Sequence, residues 1–167
     1  MNLQTIASVI GIGAALLTVA GYLFHGAIFS DQTQKYAALY KDNVLPALQA
    51  GDEILENNIN EVRKNDPAIF SSLMTKAVKE QKGLQEKVDL AVENLDSLVK
   101  CKQSIFCRVD DYSDYEQPIR RFWYTFKPVV VARRGKDVVA DFGTALEQEA
   151  RRILQEDRQH KRLPDAK

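Results

Sequence analysis

From Leu3 to Phe29 the chain is apolar apart from Gln4, Thr5, Ser8, Thr18, Tyr22 and His25, and beyond Ser30 apolar residues recur at helical spacing. About 20 helical residues, each rising ~1.5 Å, cross a hydrocarbon core of ~30 Å, so the first run predicts a transmembrane anchor over residues 1–30. A cleaved signal peptide fits less well. No Lys or Arg precedes the run, it is too long, and Phe24-His25-Gly26-Ala27 offers no small-x-small cleavage site.

The remainder predicts helices only, since no period-2 alternation of any length occurs there. Over residues 31–65, Tyr36, Leu39, Leu45, Leu48, Leu55, Ile59 and Val62 fall near one side, and Pro46 predicts a kink or break. Asp66 before Pro67 reads as the N-cap of a restart. Over residues 67–100, Phe70, Leu73, Ala77, Leu84, Val88, Ala91, Leu95 and Leu98 form a heptad-like seam interrupted near Glu80, with Lys76, Lys79, Lys82, Glu86, Lys87, Glu93 and Asp96 on the other positions. After a loop over 101–111, Ser113-Asp114-Tyr115-Glu116 has the form of a capping box. The helix it opens carries Tyr115, Ile119, Phe122, Trp123 and Phe126 and meets Pro128 and Gly135. A last helix is expected over 136–158, with Val138, Val139, Phe142, Leu146, Ile153 and Leu154 inward, and residues 159–167 read as a flexible tail. The expected class is all-α: one transmembrane helix, then a helical bundle with coiled-coil-like character over 31–158.

Side-chain size adds a second pattern to the first 30 residues. Ala7, Gly11, Ala14, Thr18, Gly21 and His25 recur at alternating spacings of four and three, which puts them on one helix stripe. Lipid tails are as apolar as leucine, so membrane helices associate where small residues let backbones approach. The stripe predicts self-association. His25 reads as an interfacial group in an aromatic belt with Tyr22, Phe24 and Phe29 rather than as a proton relay.

Charge changes the picture in two ways. All of the 23 Lys+Arg and 23 Asp+Glu lie after Ser30, so a mean hydropathy of −0.31 conceals the apolar run. Lys35 and Lys41 flank its far end, a bias that predicts residues 31–167 on the cytoplasmic side. Up to Glu116 there are 11 basic and 16 acidic residues, and beyond it 12 and 7, so the halves attract within a chain or between copies. The acidic half argues against nucleic acid as a partner.

Candidate chemistry is sparse. Cys101 and Cys107 are six residues apart with no histidine near, which disfavours a metal site and leaves reduced thiols or a disulfide, thiols being expected from the cytoplasmic placement. Neither His25 nor His160 is placed to serve a nucleophile. Gly11-Ile12-Gly13 lies inside the apolar run and is no phosphate loop. Asp110, Asp111, Asp114 and Glu116 lack the glycine-centred calcium-loop pattern and suit a helix start. No catalytic, cofactor or metal residue is expected. Aromatic residues crowd between Phe106 and Phe126, and Phe122, Trp123 and Tyr124 are consecutive, so they cannot all face one side of a helix. With Arg120, Arg121 and Phe126 they form the expected protein interface.

The expected function is a non-catalytic, self-associating single-pass membrane scaffold whose partners are lipid and further copies of itself. An accessory or regulatory subunit of a larger membrane complex is the alternative, and a pore-forming effector is less favoured.

Overall fold

The computed structural model describes residues 30–64, 66–135 and 140–160. The apolar run and its stripe therefore lie outside the described residues, as do Val138 and Val139. Among the described residues no helix is long and apolar enough to cross a membrane.

The class is all-α, with six helices among the described residues. The first, α1, covers residues 33–57 as Thr33–Leu39, a π-helical segment Tyr40–Val44, and Leu45–Asn57. Then come α2 (Ile59–Val62), α3 (Pro67–Glu80), α4 (Leu84–Gln103), α5 (Ser113–Arg134) and α6 (Thr144–His160). Two-residue strands, β1 (Ser30–Asp31) and β2 (Cys107–Arg108), pair in parallel.

α4 runs through the middle, packed on α1 and α6, while α5 closes against α3 and α6. Its buried residues Val88, Ala91, Val92, Leu95, Leu98 and Val99 form a stripe wider than a two-position coiled-coil seam, as a helix covered on several sides requires. Phe122 and Phe126 from α5, Leu146 from α6, Leu48 from α1 and Met74 from α3 complete one core.

Local chemistry explains several boundaries. Asp66 caps α3 as expected, its Oδ1 accepting from the N–H groups of Ala68 (2.8 Å) and Ile69 (3.4 Å). Pro46 does not break α1. A π turn precedes it, in which the Leu45 N–H donates to the Tyr40 carbonyl, so the ladder shifts register where proline lacks its own donor. The seam expected over 67–100 with an interruption near Glu80 is divided there into two helices. Gly83 adopts φ +77°, a left-handed turn, and α4 starts afresh beyond it.

The capping box at Ser113 does not form. Ser113 is already helical and the preceding Tyr112 makes no side-chain cap; a tight turn with Asp111 at φ +54° supplies carbonyls to the Asp114 and Tyr115 N–H groups instead. α5 continues through both Pro118 and Pro128. An interior proline costs about 3 kcal/mol, but each large apolar side chain buried contributes roughly 1.5–3 kcal/mol. Ile119, Phe122 and Trp123 are buried between the two prolines, and Val129 and Val130 beyond the second. The last helix begins at Thr144 rather than near 136. Gly143, at φ +64°, turns the chain so tightly against Val92 that a Cβ there would lie 2.9 Å from Val92 Cγ1.

Candidate functional site

The end of the bundle where α4 gives way to α5 gathers most of the unusual chemistry. Ser30 stands opposite Cys107 and Asp31 opposite Arg108. The Gln32 N–H donates to the Arg108 carbonyl at 2.9 Å, and the Asp110 N–H to Thr33 Oγ1 at 2.9 Å. The chain that follows the apolar run is thus hydrogen-bonded into the bundle from its first described residues.

Cys101 and Cys107 are joined as a disulfide, their Cα atoms 5.1 Å apart, the less favoured of the two readings that their spacing left open. The physical reason is local. α4 ends just after Cys101, and the turn returns β2 beside that helix end, so both side chains meet over a six-residue separation. Inside the closed loop Ile105 and Phe106 are 75% and 55% exposed, although both are strongly apolar.

Behind this loop lies a buried carboxylate. Glu149 of α6, only 5% exposed, accepts from Lys102 Nζ (2.8 Å), the Tyr112 hydroxyl (3.0 Å) and Arg152 Nε and Nη2 (both 2.9 Å). Burial pushes its carboxyl pKa up, but the hydrogen bonds from Arg152, Lys102 and Tyr112 outweigh that and hold it at about 2. Burial, and then the Glu149 charge, raise the Tyr112 hydroxyl well above its usual range. The Glu149 hydrogen bond, reinforced by Glu156 and Glu116, raises Arg152. Lys102 also lies 4.1 Å from the Tyr112 ring centroid. The group ties both sides of the exposed loop, Lys102 before it and Tyr112 after it, to one point on α6.

Asp96 is a second buried carboxylate, placed among exposed charges by the seam pattern but in fact 6% exposed. Its Oδ1 accepts from the Leu146 N–H at 3.0 Å, capping the first turn of α6 from another helix, and its Oδ2 meets Lys100 at 2.7 Å. Both carboxylates carried a signal in the sequence. Each interrupts an apolar stripe at helical spacing: Val92, Leu95, Asp96, Val99, and Leu146, Glu149, Ala150, Ile153.

The expected aromatic interface divides. Phe122, Trp123 and Phe126 are buried in this chain's own core, and Tyr124 alone of the triplet is open, 62% exposed. Tyr124 and Thr125 line a surface groove of about 360 Å³ with Leu55, Val62, Asp66, Pro67 and Phe70. Arg120 pairs with Asp157 and Arg121 with Asp52, so both arginines link helices within the chain. The acidic and basic halves meet in the same way through Arg133 with Asp89 (2.8 Å) and Arg152 with Glu116 (2.7 Å).

Among the described residues no group of three or more His, Cys, Asp or Glu side chains could hold a metal ion. Ala7, Gly11, Ala14, Thr18, Gly21 and His25 lie outside the described residues. No known family, curated protein or solved structure matches the chain.

Proposed function

We propose that this chain is a single-pass membrane protein that self-associates and serves as a non-catalytic structural or scaffolding component. The observation that carries this reading is the uncharged run from Leu3 to Phe29, with its small-residue stripe, which leads at Ser30 into a segment hydrogen-bonded to the bundle. Helices that approach along such a stripe gain packing contacts in lipid, and the strand pair would pass their arrangement on to the bundle. Ion pairs between the acidic and basic halves form within one chain, through Arg121 with Asp52, Arg133 with Asp89 and Arg152 with Glu116.

The test is the native mass of the complex extracted gently from its own membrane. A multiple of the 18.9 kDa chain is expected, falling toward one copy when Gly11→Leu and Gly21→Leu are combined. A single copy for both wild type and variant overturns the reading. An accessory subunit of a larger complex is the second reading, favoured by the open Tyr124 ring beside its groove. An unrelated chain in fixed stoichiometry, lost on Tyr124→Ala with the helical content retained, would select it.

Two features bear on sidedness and pull apart. Lys35 and Lys41 favour the cytoplasm for residues 31–167. The Cys101–Cys107 disulfide favours an oxidising compartment. We place the bundle on the oxidising side, because reducing compartments keep such thiols open and the charge bias consists of two lysines. Protease added to intact cells or right-side-out vesicles should then digest the bundle; protection until the membrane is permeabilised restores the cytoplasmic placement.

A further inference from the structure

The exposed pair Ile105 and Phe106 has a fixed position relative to the N-terminal run. α4 ends at Gln103, and the chain reverses through a turn in which the Cys107 N–H reaches the Ser104 carbonyl and the Phe106 N–H donates to Ser104 Oγ at 3.2 Å. It leaves along β2. Because β1 lies parallel to β2, with Ser30 opposite Cys107, both strands run away from the turn. Ser30, the first described residue, therefore stands beside Cys107, the residue that directly follows Phe106.

We propose that Ile105 and Phe106 insert into the headgroup–acyl boundary of the bilayer, seating the bundle on the membrane through its disulfide-closed tip. This inference rests on the reading of residues 3–29 as a membrane span. Three observations favour lipid as the occupant. The pair directly precedes Cys107, which is paired with Ser30, the residue that follows the apolar run in the chain. It consists of an aromatic and a large aliphatic side chain, the kind that settles at a membrane interface. The loop is also closed at its base by the disulfide and the Glu149 group, so little further ordering is lost when the tip enters lipid. The cations beside the tip are matched, Arg108 by Asp110 and Lys102 by Glu149. Seating therefore depends on apolar contact and needs no anionic lipid.

The test uses the full chain in phosphatidylcholine vesicles whose acyl chains carry bromine either near the headgroup or near the terminal methyl. Phe106→Trp adds an emission to the wild-type baseline of Trp123. Val131→Trp places a control at an exposed site toward the other end of α5, where Arg133 meets Asp89 near the start of α4. Unchanged far-ultraviolet helicity shows that each variant folds. The emission added by Phe106→Trp is expected to be quenched by shallow bromines more than by deep ones, with the Val131→Trp emission unaffected. An added emission that neither bromine quenches, in a chain that resists alkaline extraction, overturns the inserted tip and leaves the span standing. Release of the chain by alkali overturns both. Equal quenching at the two sites overturns the tip as the seat, because the bundle would then lie on its side.

Discussion

Phe122-Trp123-Tyr124 on α5 and Ile105-Phe106 on the α4–α5 connection are both short consecutive apolar runs, yet they have opposite fates. The first sits inside a long helix packed against α1, α3, α4 and α6, and Phe122 and Trp123 point into the core while Tyr124 faces out. The second sits on a tight turn closed by a disulfide, where none of the described elements covers it. Aromatic density marked the first as an interface, but density alone does not decide exposure. A helix presents three consecutive residues to three directions, and the packing around it chooses which are buried. A turn of three residues has no second layer to turn toward.

The largest effect that would break this comparison comes from truncating each run. Trp123→Ala should lower the unfolding free energy by about 4 kcal/mol, the cost of a large aromatic removed from a packed core. Phe106→Ala should change it by less than about 0.5 kcal/mol. Chemical denaturation in mild detergent measures both, and equal losses would show that the tip is packed. Trp123→Ala therefore cannot report on a protein contact, because it disturbs the fold; Tyr124→Ala can.

The Glu149 group sharpens the contrast, because it holds the base of the tip from inside the bundle. Glu149→Gln keeps the shape but replaces charge-assisted hydrogen bonds with neutral ones, at a cost of about 2 kcal/mol near neutral pH. Its pH dependence has a definite sign. The carboxyl is held at about 2 against an ordinary value of 4.5, so its stabilisation is complete above 4.5 and fades as pH falls from there toward 2. Denaturation midpoints should drop over that window in the wild type and drop less in Glu149→Gln. Parallel acid profiles would remove Glu149 as the cause.

A smaller effect is expected under the aromatic run. A Cβ at Gly51 would lie 2.8 Å from Thr125 Cγ2 and 3.0 Å from Phe126 Cζ, so α1 approaches α5 as closely as glycine allows. Gly51→Ala gains ~1 kcal/mol of helix propensity, while overpacking costs ~1–3 kcal/mol. The net expectation is a loss of about 1 kcal/mol in the same denaturation measurement. A gain would mean that Thr125 and Phe126 yield freely.

The sequence by itself determined the class and much of the interior. Helical periodicity marked Leu84, Val88, Ala91, Leu95 and Leu98 on α4 and Ile119, Phe122, Trp123 and Phe126 on α5, and all are buried. The Asp66-Pro67 start was legible because capping is decided by residues adjacent in the chain. What only the tertiary structure decided depends on partners far along the sequence. Asp96 caps a helix that begins 48 residues later, and Glu149 draws donors from Lys102 and Tyr112, 47 and 37 residues away. α5 runs through two prolines because α3, α4 and α6 give its apolar residues something to bury against. The exposure of Ile105 and Phe106 was settled by where β2 and the disulfide turn the chain. Periodicity reports which face of an element is apolar, but the distances between elements decide what that face meets.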